Sequence, residues 1–478
     1  MAFPDLRNNS IINRINSFLT TPAYIMILSA LCLCSSLFSW EVPVYSIFVL
    51  VAVYLCVFGD DLLPVTPLVV LCYIAPSAAN NPGRNAQSVF SPDSSSPFMV
   101  TLIALLVAGL VYFLLRDRYK NLKKLFTMRR KLLFGMLLLW AAYMLSGLRS
   151  PAYPQYMKKN LVFAALQGVS VTMPYFLLTA LIDWKKARKD YLSWVAVGAG
   201  FVLLGQFLWI YATKPVIQNG VIDRNLIFTG WGMYNNMGAM LAMMIPFPFH
   251  IGYTTKKGWI GPLISTLFVG GVFLSNSRTS MLAGAAIYGI CVLILFFTAK
   301  NKKRTLIVAA VLAVLGIAGA VVLREKIFQL FTDILSRGFS LNHRDEFYVA
   351  GTNQFVQYPI FGGSFYPIDF VPWDWSEVAS FSKFFPPRWH NTLIQLLACT
   401  GSVGLISYLI HRLQTVRLFL LERSSTGLYI GLSVLVLIFS SLFDCHFFNI
   451  GPTLFYSMSL AFAEKSKEYS NELVTDHH

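Results

Sequence analysis

Long apolar runs alternate with short polar connections along almost the whole chain. A helix needs about 18 to 23 apolar residues to cross a hydrocarbon core of roughly 30 Å. Measured against that length, the pattern predicts spans at 23–40, 42–58, 62–78, 98–115, 132–148, 161–182, 191–213, 230–253, 259–275, 279–298, 305–323, 391–410, 428–443 and 452–463. The expected architecture is all-α and polytopic, with about 14 (12–14) transmembrane helices. The last run is short and the third contains two prolines. The polar start of the chain leads straight into consecutive apolar runs, so the first span reads as an uncleaved anchor.

Composition agrees with this class. Of 478 residues, 56% are hydrophobic and only 13% charged, too little charge to cover a soluble surface. The net charge of +16 invites a nucleic-acid partner, but its placement argues otherwise. With the N-terminus in the cytoplasm, roughly two-thirds of the 38 Lys and Arg fall in inner segments, the largest group being "RDRYKNLKKLFTMRRK". The basic excess is topology and contact with membrane lipid; no nucleic acid is needed, and both termini are expected inside. The seven cysteines lie in or beside apolar runs without a C-x-x-C spacing, so they read as packing residues.

Two outer segments break the pattern of short connections. Residues 79–96 are rich in Pro, Ser and Asn and read as a loop. The segment from Arg324 to Trp389 is long but full of aromatic and aliphatic residues, which argues for folded structure. Within it, Ile327, Phe328, Leu330, Phe331, Ile334 and Leu335 form an interfacial stripe. "NHRDEFYVAGTNQFVQYP" predicts a second helix, with Asn342 as N-cap and Asp345 supporting the first turn. That helix ends at Pro359, before the glycine-rich turn "IFGGSFYP". The expectation is a small helical cap resting on the outer membrane face.

Polar groups at the outer boundary are the candidates for chemistry, because placing them near lipid is costly. "FLSNSRTSMLAG" sets Ser277 and Arg278 between two spans, where a planar guanidinium among hydroxyls suits a phosphate; a snorkelling arginine is the plainer reading. Arg344 stands at the start of the second loop helix, where it could instead pair locally with an acid. "RWHN" offers Arg388, His390 and Asn391. If Asn391 caps the following span, the positive helix end biases His390 toward its neutral, proton-accepting form. Asn235 and Asn236 fall in the outer third of another span, placed to orient a ligand or to bond between helices. No D-x-D or E-x-D stands in an outer loop and acids are scarce in the spans, so no metal site and no cofactor is predicted.

These pieces resemble a known family. His390-Asn391, nine residues, then Gly401-Ser402-Val403-Gly404 gives H-N-x9-G-x-x-G, which is similar to the hallmark of the O-antigen ligase and polymerase superfamily of bacterial envelope glycan enzymes. "RDEFYVAGTNQFVQYPIFGGSF", "SNSRTSMLAG" and "YNNMGAMLAMMIPF" resemble other parts of its pattern, in order, from about 231 to 410. The chain then divides into an N-terminal transmembrane bundle (1–230), a ligase/polymerase core (231–410) that includes the extracytoplasmic loop 324–390, and C-terminal spans with a tail (411–478). The resemblance implies a bacterial plasma-membrane glycosyltransferase. Its donor would be an undecaprenyl-diphosphate-linked glycan at the outer face, and its acceptor a glycan or lipid-glycan hydroxyl. Transfer would be metal-independent and inverting. It implies that Arg278 and Arg344 bind the diphosphate and that His390 is the general base. Asn391, Arg388, Asn235, Asn236 and Ser277 are secondary substrate contacts. The lean is to a polymerase over a ligase. A transporter or flippase of lipid-linked oligosaccharide is the competing class, and a non-catalytic assembly protein a third. Gly401 and Gly404 are expected to let a neighbouring span pack closely and fix where His390 points.

Overall fold

The computed structural model describes residues 9–75, 97–148, 157–218, 221–229, 232–298, most of 303–314, 344–365 and 388–468. The expected loop 79–96, most of span 305–323, the first loop helix and Asn342 lie outside the described residues.

The described chain is helical apart from two small antiparallel ladders, Ile217–Gln218 with Val221–Ile222 and Phe228–Thr229 with Gly232–Met233. In order, the helices are α1 (Ser10–Leu19), α2 (Pro22–Phe38), α3 (Glu41–Phe58), α4 (Thr66–Ile74), α5 (Pro97–Thr127), α6 (Leu133–Leu148), α7 (Met157–Leu181) and α8 (Tyr191–Thr213). They continue as α9 (Tyr234–Met244), α10 (Pro246–Thr254), α11 (Ile260–Leu274), α12 (Arg278–Thr298), α13 (Arg344–Gln357), α14 (Thr392–Leu421), α15 (Ser425–Ser441) and α16 (Ile450–Glu464). Among the described residues, five helices are long and apolar enough to cross a membrane, or seven if each of two bent pairs is one span; shorter apolar helices accompany them. Large apolar side chains such as Leu50, Val107, Phe297 and Leu413 stay exposed on the outside of this bundle, as lipid-facing positions do. The chain is a polytopic membrane protein.

Local chemistry sets the breaks. The run 230–253 is two consecutive helices, broken at Ile245, because Pro246 cannot donate into the ladder. The Ser265 hydroxyl donates to Ile245 O at 2.7 Å beside this break. Asn235 and Asn236 stand in the first turn of α9. Around them, α6, α7, α14 and α16 pack together on one side, and α9, α11, α12 and α15 on the other.

The break that positions the site is in α14. Gly401 has φ +65° and ψ −163°, which interrupts the helix and frees backbone groups on both sides. Each is taken up. Gly363 N donates to Ala398 O at 2.8 Å, Ser402 N to Pro359 O at 2.9 Å and Val403 N to Ile360 O at 3.1 Å. The Ser146 hydroxyl donates to Cys399 O. The glycine-rich turn after α13 is thus lodged in the break, and the buried ladder stays satisfied. A Cβ on Gly401 would stand 2.4 Å from Ile360 O, and one on Gly362 (φ +75°) 2.2 Å from the Cys399 carbonyl carbon. Gly404 has another role: a Cβ there would strike the Thr400 hydroxyl at 1.7 Å.

α13 reaches this turn by running parallel to the first part of α14. Phe347 meets His390, with ring centroids 5.3 Å apart, and a Cβ on Gly351 would press on Ile394 and Trp389. Beyond the turn, Phe365 is buried among Tyr143, Phe163 and Phe448, and its N–H donates to Asn160 Oδ1 at 2.9 Å. The described part of segment 324–390 is therefore a wedge set into the bundle, not a cap resting on it. The partner of Gly401 is this wedge rather than a neighbouring span, while Gly404 faces Thr400 of its own helix.

Gly401→Ala forces a left-handed Cβ into the wedge backbone, which costs roughly 2 kcal/mol or more. Thermal unfolding of the purified protein should show a clear drop for Gly401→Ala. Gly270→Ala, at a helical site with open space around it, should unfold like wild type.

Candidate active site

The site is built on helix starts. Asn391 is the N-cap of α14, its Oδ1 accepting from Leu393 N at 2.8 Å and Ile394 N at 3.2 Å. Its Nδ2 donates to Leu442 O at 2.8 Å, so both ends of the amide are used in joining α14 to the end of α15. The preceding residue, His390, is held at φ +51°, a left-handed conformation that costs energy for a non-glycine residue. Phe347 packs edge-on against its ring, and the Tyr348 hydroxyl donates to its carbonyl at 3.4 Å. α9, α12, α13 and α14 all begin near this group, and helix N-termini favour negative charge.

The residue that joins the predicted groups is Asp444, in the connection between α15 and α16. Its Oδ1 lies 3.4 Å from His390 Nδ1, within ion-pair distance though not aligned as a hydrogen bond. Its Oδ2 accepts from Asn235 Nδ2 at 3.1 Å and lies 4.0 Å from Arg344 Nη2. Cys445 N donates to Oδ1 at 2.7 Å, and Arg344 Nη1 donates to Phe443 O. Burial works to raise the Asp444 carboxyl, but His390, His446 and Arg344 prevail and hold it well below the usual carboxylate range. His390 keeps about a third of its side chain exposed, 32%, and with Nδ1 turned to the carboxylate its Nε2 is on the far side of the ring.

The other candidates take distinct places. Asn236 Oδ1 is 3.1 Å from His446 Nδ1, so the adjacent amides of α9 divide between Asp444 and His446. Ser277 and Ser280 share a hydrogen bond at 2.9 Å, and the Ser280 hydroxyl donates to Asn235 O at 3.5 Å. Arg278 opens α12 between those serines, whereas Arg344 and His390 meet at Asp444 directly. Arg388 is close enough to act on His446. Burial pushes His446 down to about 4, with the positive charge of Arg388 and Arg344 acting the same way and Asp444 opposing. Neither Asp444 nor His446 is among the residues singled out from the sequence. The signal was an acid and a histidine inside the apolar connection "SLFDCHFFNI".

Residues 263–409 match the family model described as O-antigen ligase. Over that stretch the chain carries an O-antigen ligase domain. The match runs from within α11 to within α14 and takes in Arg278, Arg344, Arg388, His390 and Asn391; Asn235, Asn236, Asp444 and His446 lie beyond it. A comparison with curated proteins finds no match. At the level this family shows, the protein is a membrane enzyme of polysaccharide assembly.

His446 gives the fold a pH dependence with a definite sign. The folded protein keeps it neutral down to about pH 4, whereas the unfolded chain protonates it near 6.5, so acid favours the unfolded state across that window. The charged groups facing it are Asp444, Arg388, Arg344 and His390. Wild type should therefore lose more stability than His446→Asn between those pH values, by on the order of 3 kcal/mol, read from melting temperatures.

Proposed function

We propose that this enzyme transfers a glycan from an undecaprenyl-diphosphate donor to an acceptor hydroxyl at the outer membrane face, with inversion and without a resident metal. The observation that carries this reading is that Asp444 holds His390 on one oxygen and Arg344 near the other. The two sides of a displacement reaction are thereby set next to each other.

The acceptor oxygen attacks the anomeric carbon, and its proton passes to His390 Nε2. The bond from that carbon to the diphosphate breaks, and its electron pair leaves on the diphosphate oxygen. Asp444 orients the imidazole and balances the charge that forms on it, the part a carboxylate plays behind a general-base histidine. Arg344, with Arg278 at the neighbouring helix start, stabilises the leaving diphosphate. Fixed cations act strongly on such developing charge where water is excluded. Asn235 steadies Asp444 from the α9 side. Asn391 acts through capping, and the Ser277–Ser280 pair places Arg278.

Purified protein supplied with lipid-linked repeat units alone tests both the chemistry and the acceptor. A polymerase lengthens them; a ligase leaves them as single units and transfers only when a second carrier is added. In either case His390→Ala and Arg344→Ala should lower turnover by roughly 10² to 10⁴-fold. Asp444→Asn should fall between those variants and wild type. In cells the lipid-linked precursor should accumulate outside. Accumulation inside, or wild-type turnover in all three variants, would overturn the assignment.

A further inference from the structure

We propose that Arg412 is a positioning residue: a guanidinium boxed by aromatic rings inside the bundle, which fixes the turn carrying Asp444 and so the Asp444–His390 pair. This rests on the reading of that pair as the reacting site.

Arg412 lies on α14 beyond the Gly401 break and is buried. A guanidinium stays ionised, and its burial in a membrane-spanning helix is costly. Among the described residues no carboxylate stands within ion-pair distance of it. Its charge faces rings instead, with the centroids of Phe447, Tyr408 and Tyr456 at 4.4, 4.6 and 5.0 Å. Nη1 donates to the Tyr456 hydroxyl at 2.9 Å, while Nε and Nη2 are buried without a hydrogen-bond partner. Contacts with ring faces are then the main compensation for the charge. An apolar side chain of similar length would fill the space without that desolvation cost, so stability alone does not account for an arginine here.

Placement supplies the reason. Phe447 belongs to the turn His446–Phe448, directly after Asp444 and Cys445. It is clamped by Arg412, by Tyr408 at 5.3 Å and by Tyr456 at 5.6 Å, and its carbonyl accepts from Gln167 Nε2 at 2.7 Å. Phe448, next in the turn, packs on Tyr143 at 5.7 Å and on Phe365 of the wedge at 6.0 Å. The box therefore underlies both the turn that presents Asp444 and the wedge that presents Arg344. A planar cation held by rings and by one directed hydrogen bond sets the register of the turn, which a greasy contact would not.

The test uses the full-length protein in lipid nanodiscs, with turnover measured on lipid-linked glycan and His390→Ala as reference. Arg412→Met should lower kcat by roughly 10- to 100-fold, with donor KM within about twofold of wild type. Arg412→Lys should recover part of the loss. Phe447→Leu should resemble Arg412→Met, and combining the two should add little. Wild-type kcat in Arg412→Met beside an inactive His390→Ala overturns the role of Arg412 and leaves the site reading standing. A loss that follows only the fraction of folded protein, with unchanged kcat per folded molecule, also overturns it. If Arg412→Met does not fold, wild-type kcat in both Arg412→Lys and Phe447→Leu does the same. Wild-type turnover in His390→Ala itself would overturn the site reading beneath the proposal.

Discussion

The arrangement of the site depends on one interrupted helix. An α-helix broken inside a bundle exposes backbone donors and acceptors that lipid cannot satisfy. At Gly401 those groups are met by the turn Pro359–Gly363 and by Ser146. Because the same turn ends α13, satisfying the backbone also fixes where α13 begins, and α13 begins with Arg344. The first part of α14, measured back from the break, ends at Asn391 and His390. One hydrogen-bonding requirement thereby sets an arginine and a histidine, far apart in the chain, on either side of a carboxylate.

The electrostatics follow from that geometry. Helix starts and arginines gather positive potential at one end of the bundle, and Asp444 is the buried counter-charge to Arg344 and His390. A carboxylate held ionised by its neighbours keeps the imidazole oriented. His446, sealed from water beside it, is kept neutral and serves as a polar contact to Asn236. The two histidines beside Asp444 thus have opposite surroundings: His390 is about one-third exposed and His446 is closed in.

Much of this was legible in the chain. The length of the apolar runs established a polytopic helical protein, since only a helix satisfies its own backbone in lipid. The span 191–213 reappears with the same limits as α8, and the start of α14 follows from the capping chemistry of Asn391. Arg344 and His390 were legible as costly polar groups at a boundary. Asp444 was not, because an acid in a short connection reads as solvated until its neighbours are known. The proline break within the run 230–253 was not legible, because hydropathy averages over a proline that the ladder cannot.

Sequence was therefore sufficient for class and for the limits of a helix such as 191–213, both of which depend on residue type and local spacing. Tertiary structure alone decided that residues 344–365 are a wedge set into the bundle, that Gly401 receives that wedge rather than a span, and that Asp444 joins His390 to Arg344. Each of these depends on which backbone groups go unsatisfied and what lies within hydrogen-bond reach of them. That is a property of distance in space, and no pattern along the chain encodes it.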